Sequence, residues 1–599
     1  MEEYASEASM SGLDSSSYQK KQDISSPRQE LRRRNILNSL KASFSMGYEP
    51  VETNGDYQYS LYATRRWGIG LMLSILVLLS VFLIGTKIGT DNARLRYQDK
   101  PSSSIESCGE PIMQLKSSSV LEGLKHGAVA ADHPVCSNIG LAILRDAGGN
   151  AIDAAVAVAL CLGVANPASS GLGGGAFILI HADEPNSEAL PPFVDATTNS
   201  HPSTSGKITE VVDCREVAPA AATRDMYKGK SELASEQGGL AIGVPGELRG
   251  LELAHARHGR LPWAKVVEPA MELAAKGVQV NPNLATEIKI MATHYGQPSN
   301  KGIDFGLRSF LTKRDSWDSP LVEGDLLKNP TLAETLRAIR NGGSDALYKG
   351  VRAAQLAQDI QNAGGIVTQN DIESYKATLR TPIVAHDIHG FSIAGVPPPS
   401  SGGAAIVGAA RFLAGFSSPL ASFADTLSVH RMVEACKHVF SIRMSLSDPA
   451  FDKDTVIDAI NDLVTGPYME ELRKITRDNE TLPLSQYGGT KWAQLSEADT
   501  AMKATDAKEG DRRRLGGRHF GYLNDGGTSH FSIVDRDGNA VSMTTSVNTY
   551  FGSKVISKSQ GIVLSNTMDD FANRGAPNHF GKICHVLLLC VRNFVVHHE

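Results

Sequence analysis

One apolar run divides this chain into two unequal parts. Residues Trp67–Thr86 are twenty consecutive positions without a charged side chain, directly after Arg65-Arg66. As a helix the run would span roughly 30 Å, the thickness of the hydrocarbon core of a bilayer. A cleaved signal peptide would begin near residue 1 and contain a shorter apolar stretch. The run therefore predicts a single transmembrane anchor at residues 65–87; a buried core helix is the alternative.

The segments on either side of the run predict an N-terminal tail and a short stalk. Residues 1–64 are rich in Ser and charged residues, which favours a disordered cytosolic tail, and residues 88–107 are typical of a polar stalk. Cations lie at both ends of the run, so charge alone leaves the orientation open. The sequon at Asn479 is a glycosylation site only if the large part is luminal or extracellular. We expect that part to be extracellular or in a vacuolar lumen.

Composition excludes several classes of protein. The 599 residues carry a net charge of −6, without the basic excess expected of a nucleic-acid-binding protein. A single long apolar run and a mean hydropathy of −0.17 exclude a polytopic membrane protein. The seven cysteines show no zinc-binding spacing. Cys136 and Cys161 flank a predicted pair of helices and are either disulfide-bonded or two buried thiols.

Beyond about residue 124, Ala-rich helical segments alternate with short apolar strands, which predicts layered α and β structure. The predicted helices are Ser137–Ala147, Ala151–Val164, 246–258, 267–276, 330–340 and 351–363. The second of these is apolar on nearly all sides and is expected to be buried, with Asn150 and Asp153 at its capped start. Ala176–Ile180 is expected to be a buried strand. Residues 485–527 lack periodicity and are predicted to form an exposed loop.

The clearest strand pattern in the chain follows that loop. Apolar residues alternate with polar ones on both sides of Asp537-Gly538-Asn539, which predicts a β-hairpin. The glycine-rich run 171–175 has no Lys-Ser/Thr after it, so we interpret it as a tight turn that lets backbones pack closely rather than as a phosphate loop. The chain also lacks the Gly-x-Ser-x-Gly and His-Glu-x-x-His motifs of serine hydrolases and zinc proteases.

Two glycines precede Thr528 at the mouth of the predicted hairpin. Glycine tolerates backbone geometry closed to other residues and can hold a peptide bond in a strained arrangement. A Thr hydroxyl beside such a bond can attack the preceding carbonyl, and hydrolysis of the resulting ester frees a new N-terminus. The freed Thr carries a nucleophile and an α-amine base with an ordinary pKa of about 7.7–8.0. Taken alone, Gly-Gly-Thr before a strand usually marks only a turn.

The residues around Thr528 resemble those of the gamma-glutamyltransferases, also called gamma-glutamyl transpeptidases or glutathione hydrolases. In the second part of the chain the similar segments are 525–532, 537–542, 548–553 and 561–571. Upstream they are 148–155, 171–177, Asp213-Cys214-Arg215-Glu216 with the three residues after it, 244–247, 364–368 and 398–403. The similarity covers roughly residues 124–581, with the segments in order and well spaced.

The resemblance implies an α+β fold: the four-layer αββα sandwich of N-terminal-nucleophile hydrolases, behind the single transmembrane helix. It implies one precursor cleaved before Thr528 into a large-subunit region (108–527) and a small-subunit region (528–599), which remain together as a heterodimer. Ser546 stands where the family usually has a Thr that contacts the nucleophile. Arg215 would hold the substrate carboxylate, a role suited to a guanidinium, although an internal salt bridge to Glu216 or another acid is the alternative. The group expected at the substrate ammonium is Asn548, Thr567 and Asp570.

Two departures from the family affect these expectations. Thr567 replaces a usual Glu or Gln, so one contact to the substrate ammonium is expected to be lost or bridged by water. The family's later Ser-Ser pair, which fixes the carboxylate, and its Gly-Gly pair, which forms the oxyanion hole, are absent, and residues 583–599 show no resemblance. The sequence therefore suggests a truncated product. Loss of an oxyanion donor can cost about 10²–10³ in rate.

The sequence thus predicts a membrane-anchored enzyme that cleaves the gamma-glutamyl bond of glutathione and its conjugates through a gamma-glutamyl ester on Thr528. The acyl group would pass to water or to an acceptor amino acid or dipeptide. No metal or cofactor is implied. Two alternatives stay open: a non-catalytic homologue that keeps the fold but does not mature, and an amidase with another substrate, like the related acylases.

Overall fold

A six-stranded antiparallel sheet is the largest sheet of the described residues. The computed structural model describes residues 126–183, 185, 207–231, 233–297, 305–416, 425–493 and 527–571. The sheet has the strand order β1-β9-β10-β2-β3-β6, and two further pairs, β4-β5 and β7-β8, lie outside it. The strands are β1 Gly127–Ala131, β2 Gly175–Asp183, β3 Lys207–Cys214, β4 Val278–Gln279, β5 Leu326–Leu327, β6 Thr378–Arg380, β7 Ile383–Ile388, β8 Phe391–Gly395, β9 Thr528–Asp535 and β10 Ala540–Ser546.

The predicted hairpin is confirmed as β9 and β10. Ile533 lies opposite Val541 and Phe531 opposite Met543, and all four side chains are buried because alternate residues of a strand face the same side. The same register pairs Thr528 with Ser546 at the open end of the hairpin. β10 also pairs with β2, which sets Ser546 opposite Gly175. A shift of one residue would turn the apolar side chains to the other face, so core packing holds the Thr528–Ser546 pair in place.

Helices account for most of the remaining described residues. They are α1 Pro134–Arg145, α2 Ala151–Ala165, α3 Glu247–His258, α4 Trp263–Lys276, α5 Pro282–Tyr295, α6 Leu307–Leu311, α7 Pro330–Gly342, α8 Asp345–Tyr348, α9 Gly350–Asn362, α10 Gln369–Ser374, α11 Gly402–Ala414, α12 Thr426–Arg443, α13 Lys453–Val464, α14 Gly466–Ile475 and α15 Gly489–Trp492. The six helices predicted from the sequence correspond to α1, α2, α3, α4, α7 and α9, with ends shifted by up to a turn.

Helix α2 anchors the main core, as its apolar sequence predicts. Almost every residue from Ala151 to Ala165 is buried. Its start has the predicted capping box: the Asn150 side chain accepts from the amides of Ile152 and Asp153, and the Asp153 carboxylate accepts from the Asn150 amide. Cys136 of α1 and Cys161 of α2 form a disulfide, which decides between the two possibilities left open by the sequence. Helices α1–α3 pack on one face of the sheet.

A second apolar core lies around the β7-β8 pair and helices α11–α14. Trp492 of α15 belongs to it, and Tyr487 nearby is also buried. The prediction of an exposed loop over 485–527 is therefore wrong for residues 485–493, because tertiary contacts fix a segment without periodicity. Residues 494–526 lie outside the described residues.

The mixed α and β character of the fold is confirmed. None of the helices in the described ranges is long and apolar enough to cross a membrane. The predicted anchor at 65–87, the tail at 1–64 and the stalk at 88–107 all lie outside the described residues.

Replacing the cap of α2 provides a test of this packing. Asn150→Ala removes the bonds to two helix amides and a third bond, 2.6 Å long, from Asn150 Nδ2 to the carbonyl of His258. We expect the free energy of unfolding to fall by about 1–2 kcal/mol, measured by urea denaturation. Asn341→Ala, at an exposed position of α7, should leave it unchanged. Equal stabilities for the two variants would contradict the capping role of Asn150.

Candidate active site

The hydroxyls of Thr528 and Ser546 meet at the open end of the β9-β10 hairpin. The two oxygens are 3.0 Å apart. Thr528 is exposed, whereas Ser546 is 8% exposed. The structure therefore brings together the two residues that the resemblance pairs, and it does so through strand register alone.

Ser546 also contacts the peptide bond that precedes Thr528. Its Oγ donates to the carbonyl oxygen of Gly527 at 2.7 Å and accepts from the amide of Asn548 at 2.8 Å. The Val547 amide donates to the same Gly527 carbonyl and also to the Ser169 carbonyl, each at 3.2 Å. Two donors thus point at the carbonyl oxygen on which negative charge would develop if Thr528 attacked the Gly527 carbon.

The other hydrogen bonds of Ser546 determine which of the two hydroxyls donates in the Thr528–Ser546 contact. A serine hydroxyl has one hydrogen to donate and two lone pairs. The Gly527 carbonyl can only accept, so it takes the hydrogen of Ser546, and the Asn548 amide uses one lone pair. The remaining lone pair can only accept the hydrogen of the Thr528 hydroxyl. Ser546 is therefore oriented to accept a hydrogen bond from the Thr528 hydroxyl.

Two glycines are required by this geometry. Gly527 has φ +112°, and a Cβ there would lie 2.3 Å from the carbonyl oxygen of Asn548. A Cβ on Gly174 would lie 2.0 Å from the carbonyl oxygen of Ser546. No other residue fits at either position. The interpretation of the 171–175 run as a turn that allows close backbone packing is confirmed at Gly174.

Arg215 and Asp570 form an ion pair that joins the two regions of the chain. Arg215 follows β3, and its carbonyl accepts from the Tyr375 hydroxyl at 2.7 Å. Its Nη2 donates to an Asp570 carboxylate oxygen and, at 3.3 Å, to Thr567 Oγ1. The side chains of Arg215 and Asp570 are 32% and 30% exposed, so a ligand can reach both.

Glu216 lies behind this pair. Its carboxylate is 3.7 Å from Arg215 Nε. Arg215 therefore also forms the internal salt bridge to Glu216 that the sequence left open as an alternative. Burial alone would lower the pKa of Arg215, but the charges of Glu216 and Asp570 raise it above its ordinary value. Burial raises the pKa of the Glu216 carboxyl, and the charge of Arg215 partly offsets that rise.

Asn548 and Asn479, the remaining predicted residues, lie in different surroundings. Asn548 is buried with φ +77°, and its side-chain amide donates to the Asn566 carbonyl at 3.1 Å. Its backbone, rather than its side chain, touches Ser546. Asn479 is exposed just after α14, and its glycosylation stays a prediction.

Across the described ranges, no group of three or more His, Cys, Asp or Glu side chains is arranged to hold a metal ion.

Sequence reasoning missed the role of Glu247, at the start of α3. The side chain is fully buried, and its carboxylate accepts from the Thr545 hydroxyl, one residue before Ser546. Burial raises the pKa of this carboxyl to about 7. The sequence feature that could have indicated this role is an acidic residue directly after Val-Pro-Gly, in a segment otherwise rich in apolar residues. The strand that carries Ser546 is thus held by a carboxyl group that can remain protonated near neutral pH.

The Glu247→Gln variant tests whether the Glu247 carboxyl keeps its proton in the folded chain near neutral pH. A carboxyl whose pKa rises from 4.5 to about 7 on folding keeps its proton in the folded chain while the unfolded chain has lost it. The free energy of unfolding of the wild type should therefore fall, relative to Glu247→Gln, as the pH rises from 4.5 to 7. By linkage the total change is up to about 3 kcal/mol. Urea denaturation of both proteins between pH 4.5 and 8 measures it, and parallel curves would contradict a raised pKa.

Comparisons with known proteins identify the family of this chain. A sequence model of the family described as gamma-glutamyltranspeptidase matches residues 136–585. Glutathione hydrolase 2 of Arabidopsis thaliana is 39% identical over 453 residues, 75% of this chain but 66% of that protein. The glutathione hydrolase proenzyme of Escherichia coli K12 is 34% identical over 468 residues, 77% of this chain and 69% of that protein. The chain spans only 60% of a second Arabidopsis relative, glutathione hydrolase 3.

Solved structures agree with the sequence matches. The gamma-glutamyltranspeptidase of Helicobacter pylori is 28% identical with a TM-score of 0.52, covering 62% of this chain and 98% of that one. A cephalosporin acylase from Bacillus halodurans, 22% identical with a TM-score of 0.56, covers 81% of this chain and 76% of that one, and shows the fold alone. Since the family model takes in most of the chain, including Thr528, Ser546 and the Arg215–Asp570 pair, this protein belongs to the gamma-glutamyltranspeptidase family.

Proposed function

We propose that the chain is the precursor of a gamma-glutamyl hydrolase and transferase that acts on glutathione and its conjugates. In this proposal the chain matures by cleaving itself before Thr528 and then works through a gamma-glutamyl ester on that residue. The observation that supports the proposal is the arrangement of Thr528, Ser546 and the Gly527 carbonyl, whose hydrogen bonds suit attack of the Thr528 hydroxyl on that carbonyl.

Maturation follows from these contacts in two steps. Thr528 Oγ1, hydrogen-bonded to Ser546, attacks the Gly527 carbon; a C–O bond forms, the C–N bond breaks, and the hydroxyl proton passes to the leaving Thr528 nitrogen. Ser546 and the Val547 amide stabilise the charge on the carbonyl oxygen meanwhile. Water then hydrolyses the ester, which leaves a carboxylate on Gly527 and a free amine and hydroxyl on Thr528. The fragments 108–527 and 528–599 would remain together as a heterodimer.

The mature Thr528 then has both groups needed for acyl transfer. Its α-amine, with an ordinary pKa of about 7.7–8.0, takes the hydroxyl proton as Oγ1 attacks the gamma-carbonyl of the substrate. The amine of Cys-Gly, or of a conjugate, leaves with that proton. Water or the amine of an acceptor amino acid or dipeptide then attacks the ester and releases the gamma-glutamyl group.

The Arg215–Asp570 pair suits the zwitterionic head of a gamma-glutamyl substrate. The α-carboxylate replaces Asp570 on Arg215, and the α-ammonium replaces Arg215 on Asp570, so no charge is left unpaired when the head group is buried. Thr567 Oγ1, already beside Arg215, provides one further acceptor.

The remaining features of the proposal concern fold and location. The six-stranded sheet and the helices packed on it would form part of the four-layer αββα sandwich of N-terminal-nucleophile hydrolases. The anchor at 65–87 would hold the enzyme to a bilayer, with the catalytic part outside the cell or in a vacuolar lumen. The Cys136–Cys161 disulfide and the exposed sequon at Asn479 support an oxidising, glycosylating route to that compartment.

Replacing the nucleophile tests self-cleavage. The wild-type chain should separate on a denaturing gel into two fragments divided at Gly527–Thr528, and Thr528→Ala should give one band. The matched control Thr286→Ala, at an exposed site on α5, should cleave like the wild type. A single band for the wild type would favour the alternative of a homologue that does not mature, and cleavage of Thr528→Ala would exclude Thr528 as the nucleophile.

Replacing Arg215 tests recognition of the head group. Arg215→Lys keeps the charge but loses the paired N–H donors that grip a carboxylate. We expect KM for a gamma-glutamyl anilide to rise about 10- to 100-fold, equivalent to about 1.5–3 kcal/mol for a charged hydrogen bond, with a smaller change in kcat. Arg337→Lys, on the exposed face of α7, is the control. An unchanged KM would show that Arg215 serves only its internal ion pairs.

A further inference from the structure

The loop after β10 contains a buried lysine that the proposed mechanism does not use. Lys554 is 9% exposed, and its Nζ donates to Thr549 Oγ1 at 3.0 Å, to the Tyr550 carbonyl at 2.6 Å and to the Gly552 carbonyl at 2.7 Å. An ammonium has three N–H donors, so each has an acceptor. Burial lowers the pKa of Lys554 to about 7, and the charge of Glu236 acts in the opposite direction. The three oxygens around Nζ also favour the charged form.

The backbone of this loop adopts conformations that most residues avoid. Asn548, Phe551 and Lys554 have φ values of +77°, +56° and +67°, and Gly552 has +52°. Non-glycine residues keep such angles only where the surroundings hold them there. The Lys554 ammonium draws two carbonyls and a hydroxyl of the loop toward one point, as a bound metal ion would. The charge therefore offsets the repulsion between carbonyl dipoles that point at the same place.

The same loop also packs against the Gly527–Thr528 peptide. Gly527 packs so closely on it that a Cβ would lie 2.3 Å from the Asn548 carbonyl oxygen and 2.6 Å from Thr549 Cα. The Asn548 amide is also the donor that occupies one lone pair of Ser546. Thr549 thus touches the Lys554 ammonium through its hydroxyl and Gly527 through its backbone. The lysine and the Gly527–Thr528 bond thus both contact one short strained segment.

We propose that Lys554 is a positioning residue, an internal cation that holds the loop 547–554 and thereby fixes the Asn548 amide and the Gly527–Thr528 peptide in the geometry for cleavage. This inference rests on the proposed function for its consequence in cleavage. Its structural part, the ordering of the loop by the ammonium, does not depend on whether the chain cleaves.

The structural part is tested by hydrogen–deuterium exchange on the uncleaved full chain that carries Thr528→Ala. Adding Lys554→Met removes the charge and all three donors, and amide exchange over residues 547–551 should become at least tenfold faster. Lys558→Met, an exposed lysine four positions later, should leave exchange unchanged. Equal exchange in the two variants would overturn the proposal. If Lys554→Met does not fold, Lys554→Gln, which is uncharged but still donates, takes its place with the same expectation.

The consequence for cleavage is tested with Thr528 present. Removal of an oxyanion donor costs about 10²–10³ in rate, and displacement of the loop that carries the Val547 donor should cost less, so Lys554→Met should slow cleavage at least tenfold. Val439→Ala, in the second apolar core, lowers stability without touching the loop and should cleave at the wild-type rate. If Val439→Ala slows cleavage as much as Lys554→Met, the lysine is only structural and the proposal is overturned. A wild type that never cleaves refutes the proposed function, while the exchange experiment still decides the role of Lys554.

Discussion

The hydroxyl of Ser546 is the contact on which the candidate site depends. It donates to the Gly527 carbonyl, accepts from the Asn548 amide and leaves one lone pair for the Thr528 hydroxyl. The register of β9 and β10 positions Thr528. Close packing on the loop after β10 positions Gly527, and the strained backbone of that loop positions Asn548. The hydroxyl of Ser546 thus connects the sheet, the loop and the Gly527–Thr528 peptide.

A second constraint is electrostatic and joins the regions before and after Thr528. Arg215, directly after β3, pairs its charge with that of Asp570, and both side chains remain accessible to a ligand. Behind them, Glu216 and Glu247 are buried carboxyl groups whose pKa values burial raises. Under the proposed function, exchange of this ion pair for the two charges of an amino-acid head group would leave no unpaired charge in a buried place.

Periodicity predicted the parts of the fold that are set by local sequence. The hairpin and the buried helix α2 with its Asn150 cap could be identified because apolar spacing and capping chemistry are local signals. The ordered segment around Tyr487 and Trp492 could not, since its structure comes from contacts with helices distant in sequence. In the site, Thr528, Ser546, Arg215 and Asp570 came from the resemblance, and the structure brings them into two contacts. Glu247 and Lys554 were missed because burial of a charged group and positive φ angles leave no periodic pattern.

Amino-terminal sequencing of the purified full-length protein tests the central claim most directly. The account predicts two amino termini in equal amounts, and the one beginning Thr-Ser-His-Phe should appear only when residue 528 carries a hydroxyl. A preparation that is folded, as shown by a cooperative unfolding transition, but yields no terminus at Thr528 would contradict it.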